Sequence, residues 1–435
     1  MRRRRLLPLL AVTSLLTVFL ATGCQPGKDP GSTGSSSLPM AVSTSADASP
    51  TPSIGATEQP TSGVLGGGAS PTPGPSAGPG KTAVPSALGR AQQALATLTL
   101  QQKVGQVLMV SAPVIGADQA SLYALTTLHV GNVFLKGRSY GGVAAAAQVA
   151  AAVAATVGQA STGGIKQFIA TDQEGGLVQT MTGPGFSVIP SGIEQSSLGP
   201  ESLHSQAMVW GQQLAATGVN LNLAPVLDVV PSPTFAPLNA PIGHFGREYG
   251  FSPDAVSALG MAASRGWQDG GVQSVVKHFP GLGRVKANTD TAANVVDAVT
   301  TRSDPYLKPF QTAVNTGNRW IMVSNALYTA IDANNIAPFS STVIQGMLRG
   351  DLGFRGVVMS DDLCDAAQLG SFALQDRGVN FLNAGGTMVL CTNQLKVQEV
   401  YEGLLNRAVS NPSFADKLDA AALKVLEIKA ESGLL

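Results

Sequence analysis

Downstream of about residue 100, short apolar runs alternate regularly with longer, Ala-rich stretches. Eight of these runs predict strands, at 107–111, 130–135, 167–171, 219–224, 272–278, 320–324, 356–360 and 387–390. Several are apolar at successive positions, so both faces of the strand must be covered, as in a parallel sheet flanked by helices. Between them the stretches 143–157, 203–216, 253–268 and 341–348 fit helices. Eight strand–helix units in a segment of about 350 residues predict an α/β fold, a TIM-like (β/α)8 barrel. The competing architecture is a doubly wound open sheet, but no glycine-rich dinucleotide fingerprint follows the first strand.

The first 85 residues follow a different pattern. Arg2, Arg3, Arg4 and Arg5 precede an apolar stretch at 6–20 and then Ala21-Thr22-Gly23-Cys24, the layout of an export signal at 1–23. Small residues before a cysteine at this point resemble a bacterial lipobox, which would make Cys24 the diacylated N-terminus of a cell-surface lipoprotein. An ordinary cleaved signal peptide and a membrane anchor are the alternatives, although the apolar stretch is short for the ~20 residues of a spanning helix. Residues 24–85 are mostly Ser, Thr, Pro, Gly and Ala, and no aromatic residue lies between Phe19 and Tyr123. Such a segment buries too little apolar surface to offset chain entropy and is expected to be a disordered linker with a reach on the order of 40 Å. Residues 86–435 then form one domain, tethered to the outer face of the cytoplasmic membrane.

Charge narrows the partners. The 435-residue chain is formally neutral, but setting aside the four leader arginines leaves 23 basic residues against 27 acids, a net of −4. A mildly acidic protein has no broad basic footprint for nucleic acid. Polar residues concentrate instead at the C-terminal ends of the predicted strands. The third runs into Asp172-Gln173-Glu174-Gly175-Gly176, the fourth reaches Asp228, the fifth ends in Lys277-His278, the sixth in Asn325 and the seventh in Asp361-Asp362. Any one acidic end taken alone is better explained as a helix cap. In a barrel, however, all five converge on one face, where active sites sit. Carboxylates with one Lys-His pair, and no cluster of cysteine or histidine, suit sugar hydroxyls and acid/base work; no metal or organic cofactor is expected.

These residues also carry a family resemblance. Lys277-His278-Phe279-Pro280-Gly281, together with Asp172-Gln173-Glu174-Gly175-Gly176, Val178-Gln179, Leu223-Ala224-Pro225-Val226-Leu227-Asp228, Arg247-Glu248-Tyr249-Gly250 and Ser360-Asp361-Asp362-Leu363, resembles glycoside hydrolase family 3, in particular its β-N-acetylhexosaminidase branch. The resemblance runs from about residue 95 to the C-terminus and implies that the domain at 86–435 is catalytic. It implies Asp361 as the nucleophile that forms a covalent glycosyl-enzyme, and Asp172 as a sugar-binding carboxylate. Lys277, His278 and Arg247 correspond to residues lining the sugar subsite; His278 as a satisfied core histidine is the alternative. If Asp361 is the nucleophile, capping of the following helix falls to Asp362 or Asp365.

The sequence departs from the branch where the proton donor should be. The histidine of an Asp-Ser-His setting is replaced in Asn288-Thr289-Asp290 by Asp290, and its orienting aspartate by Asn288. Leu282 stands for a second histidine, Leu177 and Thr180 for arginines, and Asn325 for a further histidine. Two readings follow. In one, Asp290 is the acid/base, hydrogen-bonded by Asn288, with a pKa raised by burial and by the Asp361 charge. In the other, Asp290 belongs to an Asx turn and the protein is a surface lipoprotein that binds sugars without turning them over.

The enzymatic expectation is a retaining exo-β-N-acetylglucosaminidase acting on cell-wall fragments, with a β-glucosidase as its nearest alternative. The N-acetyl sugar is favoured because the chain ends soon after the eighth strand, without the extra domains of many glucosidases in the family. An anionic Asp290 would repel phosphate, so water is the expected acceptor. Finally, Cys364 and Cys391 fall at the ends of neighbouring predicted strands, and an exported protein meets oxidising conditions. A disulfide across the barrel mouth and a pair of buried thiols are both open.

Overall fold

A computed structural model describes residues 85–435. The expected signal segment at 1–23, the Cys24 lipidation site and the linker up to residue 84 lie outside the described residues. Eight strands form the barrel: β1 Leu108–Pro113, β2 Asn132–Lys136, β3 Phe168–Thr171, β4 Leu221–Asn222, β5 Gln273–Phe279, β6 Trp320–Val323, β7 Val357–Asp362 and β8 Met388–Cys391. Each pairs in parallel with the next, and β8 closes on β1. All eight fall on predicted runs. β4 is the shortest because the chain leaves the ladder at Ala224-Pro225, where proline has no N–H to donate; Val226 rejoins it through a single bridge to Lys277.

The predicted helices are present as Gly142–Ala154, Pro200–Ala215, Pro253–Asp269 and a wide-wound helix at Thr342–Asp351. They cover the strands' outer side chains in one large apolar layer that includes Val110, Val276, Ile321 and Val358. The alternate positions point into the barrel and pack as a separate interior, with Phe168 edge-on to Trp320 at 4.8 Å between ring centroids. This division follows from the two-residue repeat of a strand. On β7 it sends Val357 and Met359 inward, and the next inward position is Asp361.

The N- and C-terminal helices, Ala87–Thr97 and Pro412–Glu431, close the molecule together: Arg90 donates to the Ala430 carbonyl at 2.8 Å. Lys429, on the second of these, is completely buried beneath the barrel, where it donates to Gln106 Oε1 at 2.8 Å and to the Gly131 carbonyl at 3.0 Å. Burial, uncompensated by any acid among the described residues, pushes its ammonium down to about 7. In the unfolded chain the group titrates near its ordinary 10.5, so between these values the unfolded state binds the extra proton and this contribution to stability rises with pH. Chemical denaturation should therefore show the Lys429→Met variant losing this rise: its stability relative to wild type should fall as pH increases from about 7 towards 10, by up to ~1.4 kcal/mol per unit.

Candidate active site

The strand ends surround a cavity of about 520 Å³. Its apolar floor is Phe134, Leu223, Met322 and Leu390, one residue from each even-numbered strand or its immediate continuation. Above this floor the odd-numbered strands β3, β5 and β7 lead into Asp172, Lys277 and Asp361, all of which line the cavity. Such layering by alternate strands is how a barrel of this type fills its interior. Here the uppermost layer is charged and open to solvent on one side.

The charges are not free. Glu174 sits in a tight hairpin, Gln173–Gly175 against Val178–Gln179, that turns its carboxylate into the wall. There Arg247 holds it through two bonds, Nε to Oε2 at 2.8 Å and Nη2 to Oε1 at 2.7 Å, and Lys277 Nζ lies 2.6 Å from Oε1. Lys277 also donates to Asp172 Oδ1 at 2.7 Å. Burial alone would push Glu174 up, but the Arg247 and Lys277 charges outweigh it and hold the carboxyl at about 2. Burial likewise opposes the Lys277 cation, and Asp172 and Glu174 more than restore it.

A second anchor lies behind His278. Asp228, fully buried, accepts from His278 Nδ1 at 2.7 Å and from the Leu282 backbone N–H at 2.7 Å. This fixes the imidazole with Nε2 on the cavity side, 3.5 Å from Arg247 Nη2. A register shift between Val276 and Phe279 on β5 lets the adjacent Lys277 and His278 both face the cavity. The loop after β5 is then pressed onto the loop after β4. A Cβ on Gly283 would stand 1.9 Å from the Val229 carbonyl oxygen, so only glycine fits there.

Among the described residues, three acids lining the cavity, Asp290, Asp361 and Asp362, have no cationic partner in ion-pair contact, and the Asp362 oxygens are taken up by hydrogen bonds. Asp361 Oδ1 accepts from the backbone N–H of Asp362 at 2.8 Å. Burial raises its pKa despite the nearby His278. Asp290 is on the solvent side of the cavity, yet enclosure there and then the Asp361 charge push it up to about 6. Neither Asp362 nor Asp365 caps a helix, since the next one, Ala367–Leu369, has Ala366 at its N-cap and no side-chain cap bond. Asp362 instead closes the turn after β7, accepting from Cys364 and Asp365 N–H at 2.9 Å and from Thr392 N–H and Oγ1. Asp365 pairs with Lys396. Cys364 and Cys391 are joined by a disulfide, with Cα atoms 5.0 Å apart. Among the described residues no group of three or more His, Cys, Asp or Glu is placed to hold a metal ion.

Every expected site residue of the domain thus lines one cavity: Asp172, Arg247, Lys277, His278, Asp290 and Asp361. Two further details differ from expectation. Asn288 does not bond the Asp290 carboxylate; its Oδ1 accepts the Asp290 backbone N–H at 2.9 Å, so it makes the Asx turn and leaves the Asp290 side chain unengaged. The Arg247 fork is committed to Glu174 and to the Pro241 carbonyl, so it serves first as a brace. Sequence reasoning gave no role to Glu174 and Asp228, whose partners lie on other strands. It also passed over Lys136 and Arg138, which line the rim after β2. Leu282 and Thr180 line the cavity where histidine and arginine were expected, while Leu177 is exposed beside it and Asn325 donates to the Asp362 carbonyl behind β7.

A (β/α)8 barrel with two carboxyls free of ion pairs and raised above their ordinary range, over a braced polar wall, fits the glycoside hydrolase class. Residues 99–428 match the family described as Glycosyl hydrolase family 3 N terminal domain. The chain is similar to a β-hexosaminidase of Nitrosomonas eutropha, 34% identical over 276 residues that make up 61% of this chain and 74% of that protein. It also resembles the crystal structure of β-N-acetylhexosaminidase from Beutenbergia cavernae, with 45% identity, a TM-score of 0.76, and coverage of 76% of this chain and 98% of that one. A family 3 β-N-acetylglucosaminidase from Paenibacillus is 29% identical with a TM-score of 0.69, over 77% of this chain and 63% of that one. The chain belongs to glycoside hydrolase family 3.

Removing the Glu174 charge strands two buried cations, and breaking a buried pair in this way typically costs about 3–5 kcal/mol. Glu174→Gln should lower the unfolding free energy by that order at pH 7. A carboxyl depressed from 4.5 to about 2 stabilises fully above 4.5 and loses that contribution as pH falls towards 2. Denaturation curves at pH 7, 4 and 3 should therefore converge for the two proteins.

Proposed function

We propose that the enzyme is a retaining exo-β-N-acetylglucosaminidase that removes terminal N-acetylglucosamine from cell-wall glycan fragments. Asp361 attacks the anomeric carbon to form a glycosyl-enzyme while Asp290 protonates the leaving oxygen; Asp290 then deprotonates the water that releases the sugar. Asp172 accepts sugar hydroxyls on the oxygen that Lys277 leaves free, and His278 meets them through Nε2. The observation that carries this reading is the division of the cavity's acids. Asp172 and Glu174 are tied to cations, whereas Asp290 and Asp361 are not; burial raises Asp361, and enclosure together with the Asp361 charge raises Asp290. A group at about 6 holds a proton to donate near neutrality, as an acid/base must. The N-acetyl sugar is supported by the names of the relatives, two of them β-N-acetyl-specific. We further propose that the protein is a lipoprotein, anchored through Cys24 and held off the membrane by residues 25–85.

Paired chromogenic N-acetylglucosaminide and glucoside substrates test the assignment. The wild type should cleave the first, and Asp361→Ala neither; preference for the glucoside would overturn the sugar assignment, and binding without turnover the enzymatic one. Asp290→Asn should lose on the order of 10²–10⁴ in rate on substrates with poor leaving groups. Because Asp290 must be protonated to donate, kcat/KM should fall as pH rises through about 6, and this limb should vanish in Asp290→Asn. Phosphate should neither accelerate the reaction nor yield a sugar-1-phosphate, since the ionised Asp290 repels it; NMR of the products checks this.

A further inference from the structure

Asp290 lies on a loop, at the exposed edge of the cavity, opposite a carboxylate that repels it when both are ionised. Among the described residues, no hydrogen bond to its side chain holds it there. The restraint on the loop combines two backbone bonds with one side-chain clamp. Ala367 N–H donates to the Asp290 carbonyl and Gln368 N–H to the Thr289 carbonyl, both at 3.1 Å. The buried Gln368 side chain then grips Val295 from both sides: its Oε1 accepts the Val295 N–H at 2.8 Å, and its Nε2 donates to the Val295 carbonyl at 3.2 Å.

The segment on the other side of this clamp is the continuation of β7. It is fixed in turn by the four bonds to Asp362, by the Cys364–Cys391 disulfide, and by Arg377 Nη1 donating to the Leu363 and Cys364 carbonyls. The two unpaired carboxyls therefore belong to one hydrogen-bonded unit, although they come from different strand–helix repeats.

From this geometry we infer that Gln368 is a positioning residue, which fastens the Asp290 loop to the Asp361 strand and so sets the separation of proton donor and nucleophile. The inference rests on the reading of Asp290 as the acid/base. A retaining pair works only at a short carboxyl separation, ~5–5.5 Å, and a loop free to relax would widen it. The amide of Gln368 suits the task because it satisfies a donor and an acceptor of one residue at once and carries no charge to disturb the pair.

Gln368→Met keeps the side chain's bulk and removes the amide. The readout is kcat/KM, which reports the glycosylation step, on two aryl N-acetylglucosaminides: one with a dinitrophenyl leaving group that departs without a proton, and one with a methylphenyl group that needs it. Gln368→Met should lose about 10- to 100-fold on the second and less than about 3-fold on the first. Its alkaline limb should move to lower pH as Asp290 escapes the Asp361 charge. Equal losses on both substrates would overturn the inference. Asp290→Asn on the same pair separates the two readings: leaving-group dependence there but not in Gln368→Met defeats the clamp alone, whereas its absence in both defeats the acid assignment and the clamp with it. Amide exchange in the unaltered protein gives a test independent of any variant's folding. The Val295, Ala367 and Gln368 amides should exchange as slowly as those of β7, and exchange at open-loop rates would overturn the clamp.

Discussion

The cavity depends on one buried carboxylate. Glu174 neutralises Arg247 and Lys277 together, and without it two cations would sit against the apolar floor with only Asp172 to offset them. Ion pairs of this kind contribute little net stability, because desolvation offsets most of their attraction. Their value here is positional. Lys277 is held by two acids, so it can orient Asp172 without surrendering its proton, and Arg247 is braced so firmly that it can flank His278 without moving. This wall of the cavity is braced because its charges are already paired.

That satisfaction also defines what remains reactive. Charges at a barrel mouth separate into those with opposite partners, whose charged forms are favoured, and those facing like charges in a confined space, whose neutral forms are favoured. Glu174 falls in the first group; Asp361 and Asp290 fall in the second. Asp362, adjacent in sequence to Asp361, escapes both groups because four hydrogen-bond donors from the β7 and β8 ends absorb its oxygens. Two neighbouring aspartates thus stand in opposite surroundings, one absorbed by hydrogen bonds and one left without an ion pair, decided by which face of β7 each occupies.

Much of this was legible in the sequence, for physical reasons. Parallel strands covered on both sides must be apolar throughout, so they stand out as runs, and the polar residues that end them stand out by contrast; that is how Asp172, Lys277, His278 and Asp361 could be placed on one face before any coordinates. Asp290 stands out only through the family resemblance, as the residue at the position of the branch's histidine. What the sequence did not reveal were partnerships. Nothing in Gly-rich Gln173–Gly175 announces that the hairpin turns Glu174 towards an arginine in the loop after the next barrel strand. Nor does Gln368, an unremarked polar residue beyond β7, advertise a grip on Val295. Asn288 was read as a partner for the Asp290 carboxyl, but it is two residues away, where an amide reaches the backbone N–H far more readily than the side chain.

With Asp290 as the proposed proton donor, an aspartate in place of an imidazole changes how the two chemical steps of that mechanism are linked. An imidazole's proton affinity near neutrality is intrinsic, whereas Asp290 acquires its affinity from enclosure and from the Asp361 charge. In the proposed mechanism, attack by Asp361 converts that carboxylate into a neutral glycosyl ester. The like charge that had raised Asp290 disappears at the moment Asp290 has given up its proton. Its pKa then falls, which keeps the carboxylate ionised until a water is positioned to be deprotonated. Hydrolysis of the ester restores the Asp361 charge and with it the proton affinity needed for the next turnover. The same proximity that makes the pair costly to hold together makes it an acid in the first step and a base in the second.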